Sequence, residues 1–186
     1  MQWQLIFVSI APLVAFVVAE RFGAQRHAIS LALVVSGLEF FYNSFMLGFV
    51  EPFSLGSFAL FLVLGSLSIK REDLTFFKFQ PVVFEVFVAT TFLVYTVALD
   101  TPLFAVVLLD HVGINEWVPP YQQGYAEIYA QTFSRSVPFL LLVHAALTAF
   151  AAVRLSTGWW FHCRVLGLYS MIVALFFSER ILQVTY

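Results

Sequence analysis

Few side chains in this chain can do chemistry, and those few stand out because their neighbours cannot. Glu39 lies near the middle of the apolar run Ala28 to Val50, with Ser36 three residues before it and Asn43 four after. That spacing places the three on one helical face. Glu85 follows Pro81 in the run Pro81 to Leu99, and His144 sits beside Ala145, Thr148, Ala149 and Ala152 in the run Val137 to Val153. A carboxyl at such a depth must be paired, face water or be protonated. Two chemistries fit Glu39: a proton- or substrate-linked site, or a hydrogen-bonded group that fixes helix packing. The second is favoured, because nothing else in the sequence completes a transport motif. Glu85 is expected in the first turns of a helix starting at Pro81, where the macrodipole favours an anion. It reads as a helix-end carboxylate at the interface, with Lys78 its nearest partner in sequence. Small residues let helices approach closely, so His144 reads as an interhelical hydrogen-bonding group rather than a metal ligand or proton shuttle. A Glu39–His144 contact is open to the sequence but not specified by it.

The remaining motifs are negative. There is no phosphate-cradling glycine loop, nucleophile elbow, paired-histidine zinc helix, or flavin or nicotinamide fingerprint. Histidine is too scarce within the apolar runs for an axial haem pair. No catalytic, cofactor-binding or metal-binding residue is assigned. Cys163 is the single cysteine, which excludes an intramolecular disulfide and a paired-cysteine metal site. His162 beside it does not complete a metal site, and His27 and His111 read as loop residues. A net charge of −2 leaves no basic footprint for nucleic acid.

The elements that must position these residues are helices in lipid. Hydrophobic residues make up 61% of the chain and charged ones 11%, against about 25% charged in soluble domains. Twenty-three Phe exceed what one soluble core of this size can bury. An apolar stretch of about 17–25 residues spans a bilayer as a helix. The expected spans are Trp3–Ala19, Ala28–Val50, Phe53–Ile69, Pro81–Leu99, Val137–Val153 and Val165–Leu182. The fold class is therefore an all-α membrane protein, a bundle of about six transmembrane helices. The number falls to five if the first segment, which contains Pro12, dips in and returns. Residues 1–186 read as a single polytopic domain. The N-terminal run lacks a basic n-region and a cleavage site, so it is expected to be retained.

Between the spans, Lys70 to Lys78 is the densest run of charge and reads as a water-facing hinge. Leu103 to Leu109 is a short apolar stretch, and Asp110 to Gln123 reads as a loop. Tyr121, Tyr125 and Tyr129 suit a helical lead-in at headgroup level, and Trp3, Trp117, Trp159 and Trp160 suit an aromatic belt. The loops after spans one, three and five hold seven basic residues (Arg21, Arg26, Lys70, Arg71, Lys78, Arg154 and Arg164), and the other side holds two, Arg135 and Arg180. The positive-inside rule puts the seven in the cytoplasm.

Several pieces of the chain, in order, resemble the bacterial intracellular septation protein A family. Pro12-Leu13-Val14-Ala15-Phe16 is similar to its opening Pro-Leu-Val run. Gly65-Ser66-Leu67-Ser68-Ile69 resembles its Gly-Gly-Leu-Thr-like exit, and Phe76-Phe77-Lys78-Phe79-Gln80-Pro81 its Phe-x-Lys-x-Lys-Pro start of the next helix. Thr101-Pro102-Leu103 resembles its Lys-Pro-Leu. Trp160-Phe161-His162-Cys163-Arg164-Val165-Leu166-Gly167 is the best match, to Trp-x-x-Phe-Lys-Val-x-Gly. Gln80 and Thr101 depart from the usual Lys, and Asp110 to Gln131 is acidic where the family is basic. The chain also ends at Tyr186 without the family's charged tail. The family's charge distribution implies the opposite orientation to the count above.

The resemblance implies a multi-pass inner-membrane protein of a Gram-negative bacterium. It would act without catalytic residues in septation, cell division and envelope integrity, through contacts with other membrane proteins of division or envelope synthesis. The residues themselves leave a second function open, a small proton- or solute-conducting transporter or channel built as an oligomer with Glu39 at its working site. A third, an accessory subunit of a larger membrane complex, shares most expectations with the first.

Overall fold

The computed structural model describes residues 11–23, 25–50, 52–100, 105 and 123–184. Expectations for the first span before Ala11, and for Trp3, residues 103–104 and 106–109, His111, Trp117 and Tyr121, lie outside the described residues. Every regular element among the described residues is helical. In chain order these are α1 (Ala11–Glu20), α2 (Gln25–Leu47), α3 (Pro52–Arg71), α4 (Leu74–Ala98), α5 (Gln123–Arg154) and α6 (Thr157–His162). A π-helical turn (Cys163–Gly167) and α7 (Leu168–Val184) follow. By length and composition α2, α3, α4 and α5 can each cross a membrane. The 25 residues of α4 reach about 37 Å at 1.5 Å per residue, against a hydrocarbon core of about 30 Å.

The charged hinge is shorter than its sequence suggests, because both helices run into it. At the end of α3, Glu72 turns into the left-handed region with φ 55°. The Asp73 N–H then donates back to the Ser68 carbonyl at 3.2 Å, the long bond of a Schellman stop. Ser68 Oγ donates in return to the Asp73 carbonyl at 2.6 Å. Asp73 also starts α4: its Oδ1 accepts from the Thr75 N–H at 2.8 Å, as an N-cap does. The Thr75 hydroxyl and amide together hold the Asp73 carboxyl below its ordinary value. On one side of the hinge Arg26, from the first turn of α2, pairs with Glu72, both side chains exposed.

The apolar runs start the fourth span at Pro81 and the fifth at Val137. Instead Pro81 lies inside α4 and Pro138 inside α5. Proline removes one backbone donor and crowds the turn before it, but the Asp73 cap supplies a start seven residues earlier for α4. Proline inside long apolar helices is tolerated where neighbouring groups satisfy the freed carbonyl. The tyrosine-rich lead-in is therefore continuous with α5. The break from Glu20 to His27 shrinks likewise, since His27 lies in α2 and Gly23, with φ 98°, makes the turn before it.

The chain forms two compact units. Their boundaries fall inside α4 and α5 and at the start of the π turn, so the single-domain expectation meets a finer division. The first unit comprises residues 1–84 and 148–162. In it α1 packs along α2, α2 along α3, and α1 touches α6. Its core is aromatic: the Phe16 ring lies 4.4 Å from Phe77 and meets Trp160 edge-on at 6.2 Å, and Phe61 lies 5.6 Å from Phe77. Trp160 is fully buried there, which corrects its reading as a belt residue; Trp159 is exposed. Gly65 lets α3 close on α2, since a Cβ there would stand 2.9 Å from Leu33 Cδ2. The second unit comprises residues 85–147 and 163–186. Its interior includes Ala89, Ala105, Phe133, Ser134 and His144, with the Ala105 N–H donating to Ser134 Oγ at 2.9 Å.

Because the Asp73 carboxylate is the favoured form in the fold, its contribution is present above its unfolded value, about 3.9. It is lost as the pH falls through the lower folded value. Asp73→Ala is expected to cost about 1 kcal/mol, and Asp73→Asn to keep the cap but remove that acid-limb dependence. Equilibrium unfolding in detergent at neutral and acidic pH measures both.

Candidate functional site

The second unit brings three ionisable side chains from three elements to one point. Glu85 comes from the third turn of α4, His144 from the middle of α5, and Arg164 from the π turn. Two features of the local sequence make this possible. Starting α4 at Leu74 carries Glu85 away from the helix end and into the interior. The π turn widens the helix locally, as i→i+5 bonding does, and its Cys163 carbonyl is reached by His144. Gly167 completes the seat: a Cβ there would lie 3.5 Å from His144 Nε2, so the ring rests against nearly bare backbone.

The geometry is closed. His144 Nδ1 stands 3.0 Å from Glu85 Oε1 and 2.9 Å from Oε2, and Nε2 stands 3.0 Å from the Cys163 carbonyl oxygen. Arg164 Nη1 donates to Glu85 Oε1. The Glu85 and His144 side chains are buried, and Arg164 is 17% exposed. Both ring nitrogens of His144 thus face acceptors. A carbonyl oxygen offers only lone pairs, so Nε2 must carry a proton. Nδ1 is satisfied only if a proton also lies between it and the carboxyl. With that proton in place, one carboxylate is shared by an imidazolium and a guanidinium, an arrangement of charge-assisted hydrogen bonds.

The expectations for these residues change accordingly. Glu85 is not a helix-end carboxylate at an interface with Lys78 for a partner; its partners are His144 and Arg164. His144 bonds between helices, and its carboxyl partner is Glu85 rather than Glu39. Arg164 enters the sequence reading only among the basic residues of the loops, with no site role. The one available signal was a buried-run carboxylate lacking a cation nearby in sequence, which calls for one brought in by the fold. The π turn leaves no comparable mark.

Glu39, Ser36 and Asn43 belong to the first unit and take no part in this cluster. Ser36 and Asn43 are buried and Glu39 is partly buried. Among the described residues Glu39 has no hydrogen-bond or ion-pair partner, and Asn43 Oδ1 and Ser44 Oγ are buried without one. His162 Nδ1 bonds its own helix at the Gly158 carbonyl, 2.7 Å away. No three His, Cys, Asp or Glu side chains converge as metal ligands among the described residues. An apolar groove of about 550 Å³ runs between α5 and α7, past Phe139, Val143 and Met171. One of about 390 Å³ lies at the hinge, past Arg26, His27, Glu72 and Asp73. Neither is lined by Glu85, His144, Arg164 or Glu39.

Comparison of the chain with family models, curated proteins and solved structures gives no match.

Removing one partner of a buried ion pair leaves an uncompensated charge and costs about 3–5 kcal/mol, whereas replacing the whole set with apolar groups is often near neutral. Glu85→Leu is therefore expected to destabilise by that amount. Combining it with His144→Leu and Arg164→Met should recover most of the loss. Thermal unfolding in detergent of the single and triple variants measures the difference.

Proposed function

We propose that this protein is a non-enzymatic, multi-pass membrane protein of the bacterial inner membrane, acting in septation and envelope integrity through contacts with other membrane proteins. The observation that carries the reading is the burial of Glu85 and His144 against each other and Arg164. A catalytic group needs access to a substrate, and this carboxyl and this ring are bonded to groups of their own chain. What the chain offers to a partner is surface. Leu38, Phe41 and Phe45 on α2, Phe87 on α4, and Phe139 and Phe150 on α5 are all more than half exposed, Phe45 the most at 85%. Apolar faces of that extent suit lipid or another membrane helix. In this reading α2 to α5 cross the bilayer. The stretch from α6 to α7 supplies a further crossing, and the segment ending in α1 crosses or re-enters. The resemblance to the septation protein A family supports the assignment to division and envelope synthesis.

A second reading, a small proton- or solute-conducting channel or transporter working as a homo-oligomer, draws on a different observation. Glu39 has no partner among the described residues while lying in a run long enough to span. An intramembrane carboxyl in that position marks a working site in many transport proteins.

The two readings separate in one pair of measurements. A photo-crosslinking residue at Phe45 in living cells is expected to capture membrane proteins of division or wall synthesis, and loss of the protein to impair septation. Liposomes containing the purified protein are expected to show no proton or solute flux. A flux abolished by Glu39→Gln, in a variant that still folds, would overturn the first reading in favour of the second.

A further inference from the structure

We propose that the apolar groove between α5 and α7 seats one phosphatidylethanolamine-type lipid, with a tail against Phe139, Val143 and Met171 and the zwitterionic headgroup across Arg135 and Asp100. This goes beyond the contacts with membrane proteins proposed above and needs only that the chain lie in a bilayer.

The groove lies wholly within the second unit. Phe139, Leu140 and Val143 of α5 form one wall, and Met171, Ala174 and Leu175 of α7 form the other. Phe139 and Val143 are more than half exposed, so the groove opens outward. From Ser136 to Val143 it follows α5 for about 10 Å at 1.5 Å per residue, within the roughly 15 Å of one leaflet's hydrocarbon. Ser136 supplies a hydroxyl at one end of the lining. Arg135 lies on the Phe139 side of that end, one turn before Phe139 on α5, and helical side chains lean toward the helix N-terminus. The same end is marked as the water boundary. There α4 stops at Ala98, and Asp100 turns into the left-handed region with φ 48°, as residues just past a helix end do. Arg135 Nη2 stands 3.9 Å from Asp100 Oδ1, with the side chains 64% and 92% exposed. At that distance the two attract without a hydrogen bond, so among the described residues the guanidinium keeps donors and the carboxylate keeps acceptors to offer. A cation and an anion side by side at the mouth of an apolar groove complement a headgroup that carries the opposite pair. Its phosphate matches the guanidinium fork, and its ammonium brings three N–H donors to the carboxylate. An anionic headgroup without an ammonium would meet Arg135 but be repelled by Asp100.

The test is native mass spectrometry of the full chain, released from detergent after incubation with equal amounts of dioleoyl-phosphatidylethanolamine and dioleoyl-phosphatidylglycerol. One ethanolamine lipid per chain is expected to stay bound, in preference to the glycerol lipid. Asp100→Asn removes the partner of the ammonium and should erase that preference, a change of about two- to fivefold, the scale of one exposed charge pair. Arg135→Gln should weaken both lipids by a similar factor. Val143→Trp fills the groove and should remove the bound lipid, whereas Phe150→Trp, at an exposed position of α5 outside the groove, should leave it in place. Equal retention of the two lipids by the wild type overturns the proposal, as does a preference that survives Asp100→Asn or a bound lipid that survives Val143→Trp. A lipid-free dimer that Val143→Trp splits would overturn it as well and would assign the groove to a second copy of the chain. The preference of the wild type decides the matter even if a variant fails to fold.

Discussion

A carboxylate removed from water must be given donors, and the second unit is built around giving them to Glu85. Each of its neighbours follows from that demand. Arg164 supplies a guanidinium and His144 supplies a ring N–H. The ring must then dispose of its second nitrogen, which finds the Cys163 carbonyl. A regular α-helix directs its carbonyls along its own axis to the residue four ahead, whereas the π turn presents one to a ring on another helix. The result ties α4, α5 and the π turn through polar contacts in a unit whose interior is otherwise largely apolar. Apolar packing alone tolerates sliding between helices; a shared carboxylate fixes one register.

The same residue types behave differently at the hinge, and magnitude separates the two cases. Arg26 and Glu72 are also a guanidinium and a carboxylate in contact, but both are about two-thirds exposed. Exposed pairs of this kind are worth about 0–1 kcal/mol, so this one does not set the hinge. Backbone chemistry does: the left-handed Glu72, the return bond from Asp73 to Ser68, and the Asp73 cap on Thr75. These act over a few residues and need no tertiary partner. The hinge is thus specified locally, whereas the Glu85 cluster exists only when three distant stretches have already come together.

That distinction also explains what could be read from the chain. Long apolar runs marked α2 to α5 as helices, because composition and length act locally. Glu85 and His144 were legible as anomalies, since each is a polar residue in an apolar run. Their mutual contact was not, because sequence order carries no information on which faces of α4 and α5 meet. Arg164 was hidden for the opposite reason. It stands among polar and aromatic residues at a span end, where a cation needs no explanation. Trp160 was misread in the same way: beside Trp159 at a boundary it suits a headgroup belt, yet Phe16 and Phe77 enclose it. Pro81 marks a helix start in sequence, yet its local effect is small beside the Asp73 cap upstream.

Glu39 and Glu85 show two solutions to one physical problem within a single chain. Glu85 is paired with partners the chain itself provides, which makes it a structural asset. Glu39 lies in a comparable apolar run, but the described residues offer it no donor. Its desolvation must then be offset from elsewhere: by its own protonation, by water, or by a group on another molecule. All three leave it open to exchange with its surroundings in a way Glu85 is not. An internally paired carboxyl in one unit and an unpaired one in the other therefore divide the labour. The first keeps α4, α5 and the π turn in register, and the second leaves α2 responsive to what lies beside it.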